Sequence, residues 1–148
     1  MIRFDATETI GRPVAEVFAF IADPKNEPAW HTDAIEVRYE PPGPAGAGKV
    51  LHGTYSAMGK RSATADISAY EQDRLIQVRF RTPTMGILPT ITLTTEPDGG
   101  GTRLTRRLEI QPLGVMRILA PLMSGSMTRS NAAFVANARR LLESSAAA

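Results

Sequence analysis

The chain of 148 residues has no cysteine, which excludes disulfide staples, thiolate nucleophiles and sulfur-ligated zinc. Its two histidines are too few for a closed histidine metal site, so neither a metal nor a cofactor is expected. No window approaches the ~20 apolar residues that a membrane-spanning helix requires. The start, Met1-Ile2-Arg3-Phe4-Asp5, is charged too early for a secretory signal, and a cytoplasmic location is expected. Concentrated charge is missing as well. The net charge is +2, and adjacent arginines occur only at Arg106-Arg107 and Arg139-Arg140, without the aromatic-laced basic stripe of a nucleic-acid binder. Gly46-Ala47-Gly48-Lys49 lacks the following serine or threonine of a phosphate loop and leads into a strand, so a stiff, turn-rich loop accounts for it better.

What is present suits one globular domain over residues 1–148, with 43% hydrophobic and 22% charged residues and a frayed tail from about residue 144. Ile2, Phe4, Ala6, Glu8 and Ile10 alternate as a half-buried strand. Pro13 suits a first helical position, and Val14, Val17, Phe18 and Ile21 space as a short helix. Asp23 is placed to cap a second short helix, with Pro24 at its first position and its end near Trp30. Ile35, Val37 and Tyr39 alternate over 34–40. After the loop 41–48, strands are expected at 49–58, 61–71, 75–82, 89–96 and 102–110, with the plainest turn at Asp98-Gly99-Gly100-Gly101. The connection 83–88 reads as a flap. From Leu113 to Glu143 the pattern turns helical; Pro121 removes an amide proton there, so a kink is expected, loosened by Gly125, with a secure helix from about Ser126.

This order is α+β: a seven-stranded antiparallel sheet, two short helices between strands 1 and 2, and a long C-terminal helix. The runs Ile10-Gly11-Arg12-Pro13 with Val17-Phe18, Ile21-Ala22-Asp23-Pro24 with Trp30, Gly43-Pro44 with Gly48, Gly101-Thr102-Arg103-Leu104-Thr105 and Arg140-Leu141-Leu142-Glu143 occur in an order that resembles the START/polyketide cyclase-dehydrase (SRPBCC) superfamily. The resemblance covers nearly the whole chain. It implies a helix-grip fold, with a curved sheet wrapped around the C-terminal helix and a cavity between them; it does not specify an activity.

Small residues at inward positions, among them Ala63, Ala65 and Ala69, either let the helix approach closely or leave volume for a ligand. With the implied cavity, the expected lining is Trp30, Ile76, Val78 and Phe80, then Ile91, Leu93, Leu104 and Leu108. Met116, Met123, Met127 and Phe134 would close it from the helix, although a methionine row is also ordinary core. Arg106 is the sharpest residue, because it alternates with Leu104 and Leu108 and an unpaired guanidinium in apolar surroundings is costly. Its expected partner is Glu8 on the first strand; the alternative is a sheet-end position reaching water. His31 lies near the expected cavity mouth, and either it or His52 could serve as an acid or base. His52 is either a polar cavity residue or a surface strand position, and Tyr55 and Asp66 are weaker candidates. Arg106, His52 and Tyr55 are thus the candidates for chemistry.

Three functions stay open: binding of a small hydrophobic molecule (lipid, isoprenoid or polyketide-like), a polyketide cyclase/dehydratase-type reaction in the same cavity, or a protein-partner module. The sequence leaves the oligomeric state open.

Overall fold

The computed structural model describes residues 1–56, 59–83 and 86–145. Ala57 and Met58 of the expected third strand, Thr84 and Met85 of the expected flap, and the last three alanines of the expected tail lie outside the described residues.

Seven strands form one antiparallel sheet: β1 (Ile2–Ile10), β2 (Ala34–Glu40), β3 (Val50–Ser56), β4 (Lys60–Glu71), β5 (Leu75–Phe80), β6 (Ile87–Asp98) and β7 (Gly101–Pro112). Their spatial order is β1-β7-β6-β5-β4-β3-β2. The two strands bracketing the short helices α1 (Val14–Ala22) and α2 (Glu27–Trp30) therefore become the two edges of the sheet. Register shifts in β2–β3 and β4–β5 mark irregularities of the kind that bend a sheet. β6 and β7 join through Gly99-Gly100, with φ of 56° and 90°, the positive pair that a tight two-residue hairpin requires.

Several boundaries differ from the sequence expectation. β5 stops at Phe80, and β6 starts at Ile87 and runs to Asp98, so the connection lies at 81–86 instead of 83–88. Pro13 is the extended residue before α1, not its first helical residue. Asp23 caps a turn: its Oδ1 accepts the Lys25 amide at 3.0 Å. The bonds Asn26 N–Asp23 O and Glu27 N–Pro24 O make a tight turn, so α2 begins only at Glu27.

At the C-terminus, α3 (Met116–Leu119) passes into a 3₁₀ turn (Ala120–Met123) and then α4 (Ser124–Ser145). Pro121 sits inside the tighter turn, where its missing amide proton and its ring are tolerated. Gly125 is within α4, so the regular helix starts two residues earlier than expected. Asn131, Phe134, Val135, Ala138 and Leu142 form its buried stripe, at helical spacing.

The core has two parts. The larger joins α1, Trp30, the inward faces of β2 to β7 and the α4 stripe. The smaller gathers Phe4, Ile87, Ile110 and Ala120, with Leu108, Met116 and Met127 packed against it.

Candidate functional site

Strand alternation sends Leu104, Arg106 and Ile110 of β7 inward, and Arg106 ends 2% exposed. Its Nη1 donates to Asn131 Oδ1 on α4 at 2.5 Å. The guanidinium carbon lies 4.9 Å from the centroid of the Phe134 ring, a cation–π distance. Asn131 itself is fixed, because its Nδ2 donates to the carbonyls of Arg106 (3.1 Å) and Phe4 (3.4 Å). Arg106 Nε is buried with no hydrogen-bond partner among the described residues, and so is Trp30 Nε1. Burial pulls the Arg106 pKa down to about 10, opposed by the negative potential of Glu27 and by Tyr55 and Asp33. A buried cation with one neutral partner and a spare donor is costly.

The expected Glu8–Arg106 pair does not form. Glu8 faces Leu104 across the β1–β7 ladder, and Ala6 is the residue opposite Arg106. Glu8 accepts from Arg139 Nη1 of α4 at 3.2 Å, at an edge where solvent reaches both. The helix face over Arg106 offers an amide instead of a carboxylate.

Around Arg106 is a void of about 30 Å³, bordered by Trp30, Tyr55, Ile76, Val78, Phe80, Ile91 and Leu93 among the sequence candidates. That volume admits about one water molecule. His31, expected near the mouth, is also on its border, and Ile21, Glu27, Tyr39 and Leu51, which the sequence reading did not place there, complete it. Glu27 Oε1 lies 2.8 Å from His31 Nδ1, and the two side chains are 17% and 9% exposed. The four-residue spacing on α2 was the available signal.

Two tyrosines wall the void. The Tyr39 hydroxyl donates to Ala22 O at 2.7 Å, and Tyr39 borders both the void and an open surface groove of about 710 Å³ between the α1–α2 turn and the β2–β3 loop. The Tyr55 ring folds back over Gly53, where a Cβ would come within 2.5 Å of it. Burial raises both phenol pKa values above their usual range, and the negative potential of Glu27 adds to this.

The remaining candidates lie elsewhere. His52 is on the outer face of β3 and meets Glu40 Oε2 at 2.5 Å, because the inward face of that strand is Leu51-Gly53-Tyr55. Asp66 pairs with Arg81 on the surface. Leu104 is fully buried in the main core. Leu108, Met116 and Met127 belong to the smaller cluster under α3, and Met123 is half-buried. Phe134 touches the site through Arg106 and His31, 4.5 Å from the latter's ring. Among the described residues, no cluster of three metal-ligating side chains occurs, and no helix is long and apolar enough to cross a membrane.

A family model described as polyketide cyclase / dehydrase and lipid transport matches residues 1–139. No curated protein matches the chain significantly. Among solved structures, a protein of Deinococcus radiodurans is similar at 19% identity and TM-score 0.68, covering 94% of this chain and 95% of its own. One of Nitrosomonas europaea aligns at 13% identity and TM-score 0.72, covering 99% and 97%. The di-domain ARO/CYC StfQ from the steffimycin biosynthetic pathway aligns at 9% identity and TM-score 0.78, over 99% of this chain and 52% of that one. At these identities the likeness is one of fold, the helix-grip arrangement of a curved sheet around a C-terminal helix.

Proposed function

The chain belongs to the polyketide cyclase/dehydrase and lipid transport family, and on that premise we propose that its interior binds a small, mostly apolar molecule through one carbonyl or carboxylate oxygen. The observation that carries this reading is Arg106, a fully buried guanidinium with a neutral partner and an unpaired Nε. A ligand oxygen at Nε would supply the missing acceptor, and a charge-assisted hydrogen bond in apolar surroundings is strong. The surrounding Ile76, Val78, Ile91 and Leu93 suit the hydrocarbon part of such a molecule.

The space of about 30 Å³ is far below the several hundred Å³ of a ligand pocket. Binding therefore requires a wall to move. Tyr39 is the candidate, because one hydrogen bond to Ala22 O holds it between the void and the outer groove. Its release would join the two spaces. Trp30, the sole tryptophan, lines the site and reports on it directly. Titration with decanoate or with 2-tetralone is expected to change Trp30 fluorescence saturably in the wild-type protein, and Arg106→Met is expected to weaken binding about tenfold or more, in line with losing one charged hydrogen bond. Equal affinity in the two proteins would overturn the reading.

A further inference from the structure

Glu27 and His31 sit one helical turn apart, and the carboxylate meets the ring at Nδ1, 2.8 Å away. A carboxylate accepts only, so the contact selects the tautomer with the proton on Nδ1 and leaves a lone pair on Nε2. Among the described residues, no hydrogen bond to Nε2 is found. Ring packing fixes the plane: His31 is 4.5 Å from Phe134, 5.8 Å from Tyr55 and 5.9 Å from Trp30, centroid to centroid. The Phe134 ring that holds His31 also holds the Arg106 guanidinium, and both residues border the same void. An imidazole held through its Nδ1 and a buried guanidinium thus border one space the size of a small group.

We infer that His31, oriented by Glu27, is the general base of this site and removes a proton from the carbon next to a ligand carbonyl held by Arg106. The inference rests on the binding role given to Arg106 above. In the step, the C–H bond breaks and its proton passes to Nε2. The electron pair left on carbon forms a C=C bond, and the carbonyl π pair moves onto oxygen. The enolate faces the guanidinium, and the imidazolium faces the Glu27 carboxylate. Return of the proton from Nε2, to the same carbon or to another, closes the cycle with no oxidant or reductant. Developing charge is matched at both ends, which is where preorganised groups lower a barrier.

The test uses 2-tetralone with the full-length protein in D₂O. Proton NMR follows deuterium uptake beside the carbonyl, and Trp30 fluorescence follows binding. The wild type is expected to exchange the ketone at least about tenfold faster than buffer. His31→Gln should bind it within about twofold of wild type and lose roughly a hundredfold of the enhancement or fall to the buffer rate. Glu27→Gln should retain binding, slow exchange about tenfold, and move the His31 ¹⁵N signals away from the Nδ1–H tautomer. Only one other histidine, His52, complicates their assignment. Binding without accelerated exchange, an unchanged rate in His31→Gln, or an Nε2–H tautomer in the wild type overturns this inference and leaves the binding reading standing. No fluorescence response in the wild type overturns both.

Discussion

Arg106 and Asn131 show how a single polar contact bears on stability. The guanidinium is taken out of water and only partly repaid. Arg106→Met, which removes the buried charge, is therefore expected to unfold in urea at a midpoint no lower than wild type. Asn131→Ala should have the opposite effect. It strips the Arg106 Nη1 acceptor and two bonds to backbone carbonyls, at a cost of about 3 kcal/mol by equilibrium denaturation. Tyr39→Phe deletes the bond to Ala22 O and is expected to cost about 1 kcal/mol while speeding ligand association. The inward direction of Arg106 was legible in the alternation of β7. Its partner was not, since two inward-facing residues of neighbouring strands need not lie opposite each other, and Ala6 fills the position that Glu8 was expected to occupy. His31 was legible as a titratable residue near a mouth, but not its surroundings, because the rings packed on it come from β3 and α4.

At the scale of elements, the C-terminal segment divides where Pro121 imposes a 3₁₀ turn. Before and within that turn, Val115, Ile118 and Leu122 are 67%, 73% and 80% exposed. These side chains are mostly exposed, so Ile118→Glu or Leu122→Glu should change the unfolding free energy by less than about 0.5 kcal/mol. After it, Ala138 is fully buried against the sheet, and Ala138→Leu is expected to cost about 1–3 kcal/mol through overpacking. The β6–β7 hairpin is equally unforgiving at its end. A Cβ on Gly101 would collide with the Ile10 carbonyl, so Gly101→Ala should cost about 2 kcal/mol in the same measurement. The strands were readable because alternation and turn residues are local. Their ends were less so: β6 gained Ile87 and Leu88 by pairing with Pro112 and Gln111, a gain no local pattern announces.

For the molecule as a whole, the buried titrating groups set an alkaline limit. Tyr39 and Tyr55 have folded pKa values raised above those of the unfolded chain, chiefly by burial. Their contribution is complete below about pH 10 and is lost as the pH rises further, because the unfolded chain then binds fewer protons. Arg106 acts in the opposite sense. Its folded pKa of about 10 lies below the unfolded value, so its cost is full below pH 10 and is relieved above it. Two tyrosines outweigh one arginine, and urea midpoints are expected to fall from pH 10 upward, less steeply in Tyr39→Phe. The sequence by itself determined the seven strands, the two short helices between the first two, the broken C-terminal helix and the inward direction of Arg106. Each of these follows from period, turn chemistry or a missing amide proton within a few residues. Tertiary structure alone decided that Asn131 and not Glu8 meets Arg106, that His52 faces out while His31 faces in, and that Tyr55 lying over Gly53 leaves room for about one water. The physical reason is that such contacts depend on the rotation of α4 against the sheet and on the rotamers its packing allows, to which residues far apart in the chain contribute together.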